Sequence, residues 1–308
     1  MKRLVPMLLA TLMATPALAQ LSATPDGGPS YEGLWWGSPA GSESGWGVSV
    51  SHQGDVVFAA WFTYDADGQG MWLVMPDGRR TMGSDQSDWS MEGDMDMGMM
   101  GRNIGAPTYS GTLYRTTGPA FDAAGFDPRS VGTRAVGMAT LLFTDRDHGV
   151  FGYTVGDVSQ AKKITRQVFG ETMPSCTLGG SAGAEPNYQS LWWNASESGW
   201  GVSVAHQGDV LFATWFTYDA EGRGQWLVLP GAMRTGAHRY EGTLYRTTGP
   251  AFDASPWNTA EVRATPVGTG SFEFADDNSG TFSYTVNGAR GAKAITRQVF
   301  AGPKSVCR

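Results

Sequence analysis

The segment SESGWGVSVSHQGD, Ser42 to Asp55, returns as SESGWGVSVAHQGD, Ser196 to Asp209, with a single change. The likeness extends over most of the chain. LWW at 34–36 recurs at 191–193, VVFAAWFTYDADGQGMWLVMP at 56–76 recurs as VLFATWFTYDAEGRGQWLVLP at 210–230, and GTLYRTTGPAFDA at 111–123 is identical at 242–254. ITRQVF closes both copies, at 164–169 and 295–300. Two copies are too few for a solenoid, and each is long enough to be a domain. The expected organisation is therefore a β domain over 31–169, a linker rich in Gly, Ser and Pro over 170–187, a second β domain over 188–300 and a tail over 301–308. Copy one alone carries an insertion at 81–103.

Within a copy the apolar residues alternate, turn signals are frequent and no stretch has a helical period. The pattern predicts strands near 33–36, 45–52, 55–64, 70–76, 109–116, 133–144, 149–155 and 162–169. Eight consecutive strands with short links make an all-β antiparallel meander, either a small β-barrel or a sandwich. The barrel is preferred because closure removes exposed edges. HQGD reads as a hairpin turn with Gln53-Gly54 at its tip, which pairs His52 with Asp55 and Trp46 with Trp61. Trp46, Trp61 and Trp72 then share one face, while Gly45, Gly47 and Ser49 oppose Phe58, Phe62 and Tyr64 on the other.

Residues 1–19 have a basic start, an apolar run too short to span a bilayer and an ALA ending, as in a secretory signal peptide. A short tail, 20–30, follows, and no later segment is long and apolar enough for a transmembrane helix. The expected location is the periplasm or the extracellular space. Without Lys2 and Arg3, 20 basic residues face 29 acidic ones, a net charge of −9 that disfavours nucleic acid as a partner. Cys176 and Cys307 each follow ITRQVF by seven residues, and export permits a disulfide between them. Such a bridge would close a long loop and contribute about 4–5 kcal/mol in the chain-entropy model. Two unpaired thiols are the alternative.

Several groups carry possible chemistry. His52 beside Asp55, and His206 beside Asp209, could act as general base or metal ligand, or could hold a hairpin together. Glu43 and Glu197, before SGWG, could join a polar site or cap a backbone amide. DADGQG at 65–70 faintly resembles a calcium loop but reads better as a tight hairpin. The paired tryptophans Trp35-Trp36 and Trp192-Trp193 point to opposite faces, so each pair can present a ring for stacking on a sugar, whereas Trp46, Trp61, Trp200 and Trp215 are expected in the core. The insertion holds Met82, Met91, Met95, Met97, Met99 and Met100. Clustered thioethers suit Cu(I) outside the cytoplasm, and the alternative is a ligand-free hairpin extension.

The series LWW, ESGWGVSV, HQGD, WFTYD, GTLYRTTGPAFD and ITRQVF resembles a repeat domain of exported proteobacterial proteins, over nearly the whole of both copies. That resemblance implies a secreted β-rich module and carries over no catalytic residue. The expectation is an exported, non-catalytic binding protein for a glycan, a small apolar molecule or a cell-surface partner. A copper-binding protein is the alternative, and a hydrolase built on the His–Asp pairs is third.

Overall fold

The computed structural model describes residues 27–81 and 105–308. The leader and the six insertion methionines, Met82 to Met100, lie outside the described residues. The fold is all-β, with two closed eight-stranded antiparallel barrels, in each of which every strand lies beside its sequence neighbour, and a separate two-stranded sheet. Barrel one comprises β1 (Gly33–Gly37), β2 (Gly47–Gln53), β3 (Val56–Tyr64), β4 (Gly70–Thr81), β5 (Thr108–Thr117), β6 (Gly132–Phe143), β7 (His148–Val155) and β8 (Val158–Arg166). After β9 (Cys176–Leu178), barrel two repeats the plan with β10 (Ser190–Trp193), β11 (Gly201–Gln207), β12 (Val210–Tyr218), β13 (Gly224–Arg234), β14 (Arg239–Thr248), β15 (Arg263–Phe274), β16 (Ser279–Val286) and β17 (Ala289–Arg297). Each barrel closes by pairing its first strand with its last, Trp36 with Thr165 and Trp193 with Thr296. This settles the choice between barrel and sandwich.

Aromatic rings fill the barrels. Trp35, Trp46, Trp61, Phe143, Phe151 and Tyr153 are buried in the first, and their counterparts Trp192, Trp200, Trp215, Phe274, Phe282 and Tyr284 in the second. Full burial of a side chain of this size contributes on the order of 2–3 kcal/mol, and among the described residues these rings make each interior a packed aromatic core. The indole N–H of Trp35 donates to the Tyr31 carbonyl at 3.0 Å and that of Trp192 to the Tyr188 carbonyl at 2.9 Å, which meets the polar requirement of two otherwise apolar sites.

The structure corrects four expectations. The β2–β3 hairpin pairs Gln53 with Val56 and His52 with Val57, so its tip is Gly54-Asp55, Gly54 adopts φ +57°, and His52 does not face Asp55. The left-handed conformation that glycine adopts freely is thus needed one place earlier in the turn than the Gln-Gly reading assumed. Trp72 pairs with Phe62 while Trp61 pairs with Leu73, which puts Trp72 on the outer face. The last strand ends at Arg166, and the rest of ITRQVF leaves the barrel. Finally, the linker is not all linker: Cys176 pairs with Cys307 of β18 (Ser305–Cys307), and the two sulfurs form a disulfide.

Candidate functional site

Alternation along a strand leaves half of its side chains outside, and on β3 and β4 that outer half is strongly apolar, beside the small Gly47, Ser49 and Ser51 of β2. In barrel one it comprises Phe58, Phe62, Tyr64, Trp72 and Val74, which turn toward Phe212, Phe216, Tyr218, Trp226 and Val228 of barrel two. Phe62 and Phe216 lie 6.1 Å apart across this seam. The two flanking indoles reach across it reciprocally. Trp72 Nε1 donates to the Thr217 carbonyl at 3.0 Å, and Trp226 Nε1 donates to the Thr63 carbonyl at 2.9 Å.

At one end of the seam the barrels exchange plugs. Phe121, from the GPAFDA loop after β5, packs edge-on against Trp215 of barrel two. Its N–H donates to the Tyr218 carbonyl, and its carbonyl accepts from the Tyr284 hydroxyl. Phe252, from the identical loop after β14, packs edge-on against Trp61, donates to the Tyr64 carbonyl and accepts from the Tyr153 hydroxyl. Both plug loops need a glycine, because a Cβ at Gly118 would stand 2.5 Å from the Tyr218 ring and one at Gly249 2.4 Å from the Tyr64 ring. The DADGQG loop belongs to this contact too. Its Asp65 accepts from the N–H groups of Asp67 and Gln69, and the Gly68 carbonyl accepts from Gly249 N.

At the other end the barrels exchange straps. The Gln53 amide donates to the Gln298 carbonyl and accepts from Phe300 N and Ala301 N. Gln207 does the same for Gln167, Phe169 and Gly170. The QVF of each ITRQVF is therefore held by the opposite barrel. Several of the segments the two copies share therefore join the barrels to each other.

His52 is buried with both ring nitrogens occupied. Nδ1 accepts Tyr31 N–H at 3.2 Å, which leaves the proton of the neutral ring on Nε2 facing the Tyr109 hydroxyl at 2.9 Å. In copy two, Nδ1 of His206 accepts Tyr188 N–H at 3.1 Å, and Nε2 faces the Gly208 carbonyl at 2.8 Å and the Tyr240 hydroxyl at 3.2 Å. Burial holds both imidazoles down at about 4, so they are neutral near pH 7. Asp55 and Asp209 turn instead to Arg80 and Arg234, at 3.7 and 3.3 Å. Glu43 and Glu197 accept from the indole N–H of Trp46 and Trp200 and pair with Lys162 and Lys293, rather than capping backbone amides. Trp35 and Trp192 are fully buried, their rings covered by the guanidinium groups of Arg166 and Arg297 at 4.7 and 5.1 Å. Trp36 and Trp193 stand on the outside of their barrels, partly exposed. Among the described residues no cluster of His, Cys, Asp and Glu could hold a metal ion, and no helix is long and apolar enough to cross a membrane.

Two seam residues carry chemistry that no sequence pattern flagged. Glu32 is buried between the barrels. Its carboxylate accepts the His52 N–H at 3.0 Å, and desolvation raises its pKa to about 7 against the opposing pull of Arg297 and Arg166. The equivalent residue of copy two is Gln189, whose amide donates to the Glu32 carbonyl at 3.1 Å and to Cys176 Sγ at 3.2 Å. Both line a crevice with Ser49, Ser51, Ser203 and Phe212 that has space for about one water molecule. An organic ligand needs on the order of 300 Å³. The crevice can hold a proton or a water, not a substrate. The one sequence signal of this site is the change from YEGLWW to YQSLWW between the copies.

No protein-family model matches the chain, and no curated protein or solved structure matches it either. Any functional reading therefore rests on the residues themselves.

Proposed function

We propose that the chain is an exported, non-catalytic binding protein that meets its ligand, a glycan, on the outward rings of Trp36 and Trp193. The observation that carries this reading is the distribution of tryptophan. Every other tryptophan among the described residues is buried, while these two, at equivalent places in the repeat, remain partly open on the barrel exterior. An indole with an open face offers a flat apolar surface for the C–H face of a sugar ring. The histidines favour binding over hydrolysis, since a general base needs a free nitrogen lone pair and both rings spend theirs internally. A glycan array probed with the parent protein and with Trp36→Ala and Trp193→Ala tests the idea. Each substitution is expected to weaken the captured glycan by about tenfold, the equivalent of one stacked ring. A glycan bound equally well by both variants would sink the platform.

Capture of Cu(I) is the second reading, and the sulfur content of the insertion is what favours it. Six methionines between Met82 and Met100 occur in copy one and have no counterpart in copy two. Soft thioethers keep their affinity for Cu(I) in an oxidising compartment, where thiolates are lost to disulfides. Titration of Cu(I) under an inert atmosphere should give a stoichiometric complex that disappears when residues 82–100 are deleted. Equal binding by the deletion variant would remove this reading.

A further inference from the structure

The plug, indole and strap contacts across the seam are made by the same residues on both sides. Plug meets mouth as Phe121 with Trp215 and as Phe252 with Trp61; indole meets carbonyl as Trp72 with Thr217 and as Trp226 with Thr63. Each Gln of HQGD binds the strap of the other copy through the same three bonds. In such an isologous arrangement a surface is complementary to itself, as in a two-fold homodimer. A chain that had merely placed two barrels side by side would have no reason to meet this condition at both ends of the interface.

The symmetry fails at Phe126, whose counterpart Trp257 adds an indole hydrogen bond to the Ser44 carbonyl, and again in the crevice. Glu32 occupies one side and Gln189 the other, in a space for about one water molecule. Exchanging Gln189 for a second Glu32 would bury two carboxylates there. Exchanging Glu32 for a second Gln189 would bury no charge at all. Two like charges in one dry site strongly oppose each other, and the nearby Arg166 and Arg297 do not offset the desolvation of even one carboxylate there.

We infer that the outer face of each barrel is a docking surface for a second unit of its own kind, and that Glu32 opposite Gln189 sets the choice of partner. Copy two can pair with copy one or with another copy two; copy one pairs only with copy two. The partner is therefore any chain presenting a copy-two face, and the covalent linker is not what holds the barrels together. This stands apart from the ligand reading and survives its failure.

The test uses the full chain with a protease site in place of residues 180–184. The protein is folded and oxidised, then reduced, cleaved and analysed by native mass spectrometry at pH 8. The halves should remain a one-to-one complex. Copy-two homodimers should appear as halves exchange, and copy-one homodimers should be absent. In the Glu32→Gln protein, copy-one homodimers should increase by about tenfold or more, because the repelling charges are gone. Halves that part on cleavage, folded or unfolded, would overturn the docking surface. Copy-one homodimers equally abundant, or equally absent, in the two proteins would overturn the role of Glu32.

Discussion

Replacing Phe121 and Phe252 together by alanine is expected to lower the unfolding free energy by about 5 kcal/mol and to divide one unfolding transition into two. Each ring is partly buried in the mouth of the opposite barrel. Truncating a fully buried phenylalanine costs about 3–5 kcal/mol, and partial burial places each of these nearer 2–3. The two rings share no ring or hydrogen-bond partner, so their costs should nearly add. The competing account is that each barrel closes its own mouth and the loop merely rests there. In that case each substitution should cost less than about 0.5 kcal/mol, as surface changes usually do. Denaturant melts followed by tryptophan fluorescence separate the two, because Trp61 and Trp215 lie directly beneath the plugs. An apolar vacancy of this kind also binds small aromatics, so benzene should restore part of the lost stability in the double variant and leave the parent unchanged. The location of the effect is itself informative: Phe121→Ala changes a loop of copy one and should loosen barrel two.

The barrels could be read from the chain because alternation and turn signals are local. Trp46, Trp61, Trp200 and Trp215 were expected inside and are inside. The seam could not be read in the same way. Period two sorts Ser49, Ser51, Phe58 and Phe62 onto one outer face but does not say whether water or protein covers it. A row mixing serine with phenylalanine fits either. The same limit explains why GPAFDA and ITRQVF, the most faithful parts of the repeat, looked like loop and strand. Their partners lie in the other copy, between 37 and 248 residues away. The hairpin register failed for a smaller reason. Gln-Gly and Gly-Asp can both form two-residue turns, and the choice between them moves His52 away from Asp55 without moving it to the other face. Glu32 gave no sign beyond the change from YEGLWW to YQSLWW, because a single acidic residue beside a glycine is ordinary on a surface. Only burial makes it unusual.

Glu32→Gln should stabilise the protein by about 3 kcal/mol at pH 8 and leave it nearly unchanged at pH 4.5. The carboxyl titrates at about 7 in the folded chain and at an ordinary value near 4.5 when unfolded. Between those values the folded state holds a proton that the unfolded state has released, so stability falls as pH rises through this window and is level above it. A displacement of this size corresponds to about 3 kcal/mol at 1.36 kcal/mol per pH unit. Glutamine at this place already has a precedent in Gln189, whose carbonyl side faces His206 N in the same role, so the amide fits the geometry. The buried histidines act in the opposite direction. His52 and His206 titrate at about 4 when folded and near 6.5 when unfolded, so their contribution to stability is lost as pH falls from 6.5 to 4. The parent's profile is therefore a sum of opposed slopes, and its shape alone does not isolate Glu32. The difference between parent and variant does, because both proteins carry both histidines. Urea midpoints of the pair at pH 4.5, 6 and 8 should show a gap that opens with rising pH. A gap of the same size at all three would mean that Glu32 keeps its charge in the folded seam, held there by Arg166 and Arg297 against the cost of burial.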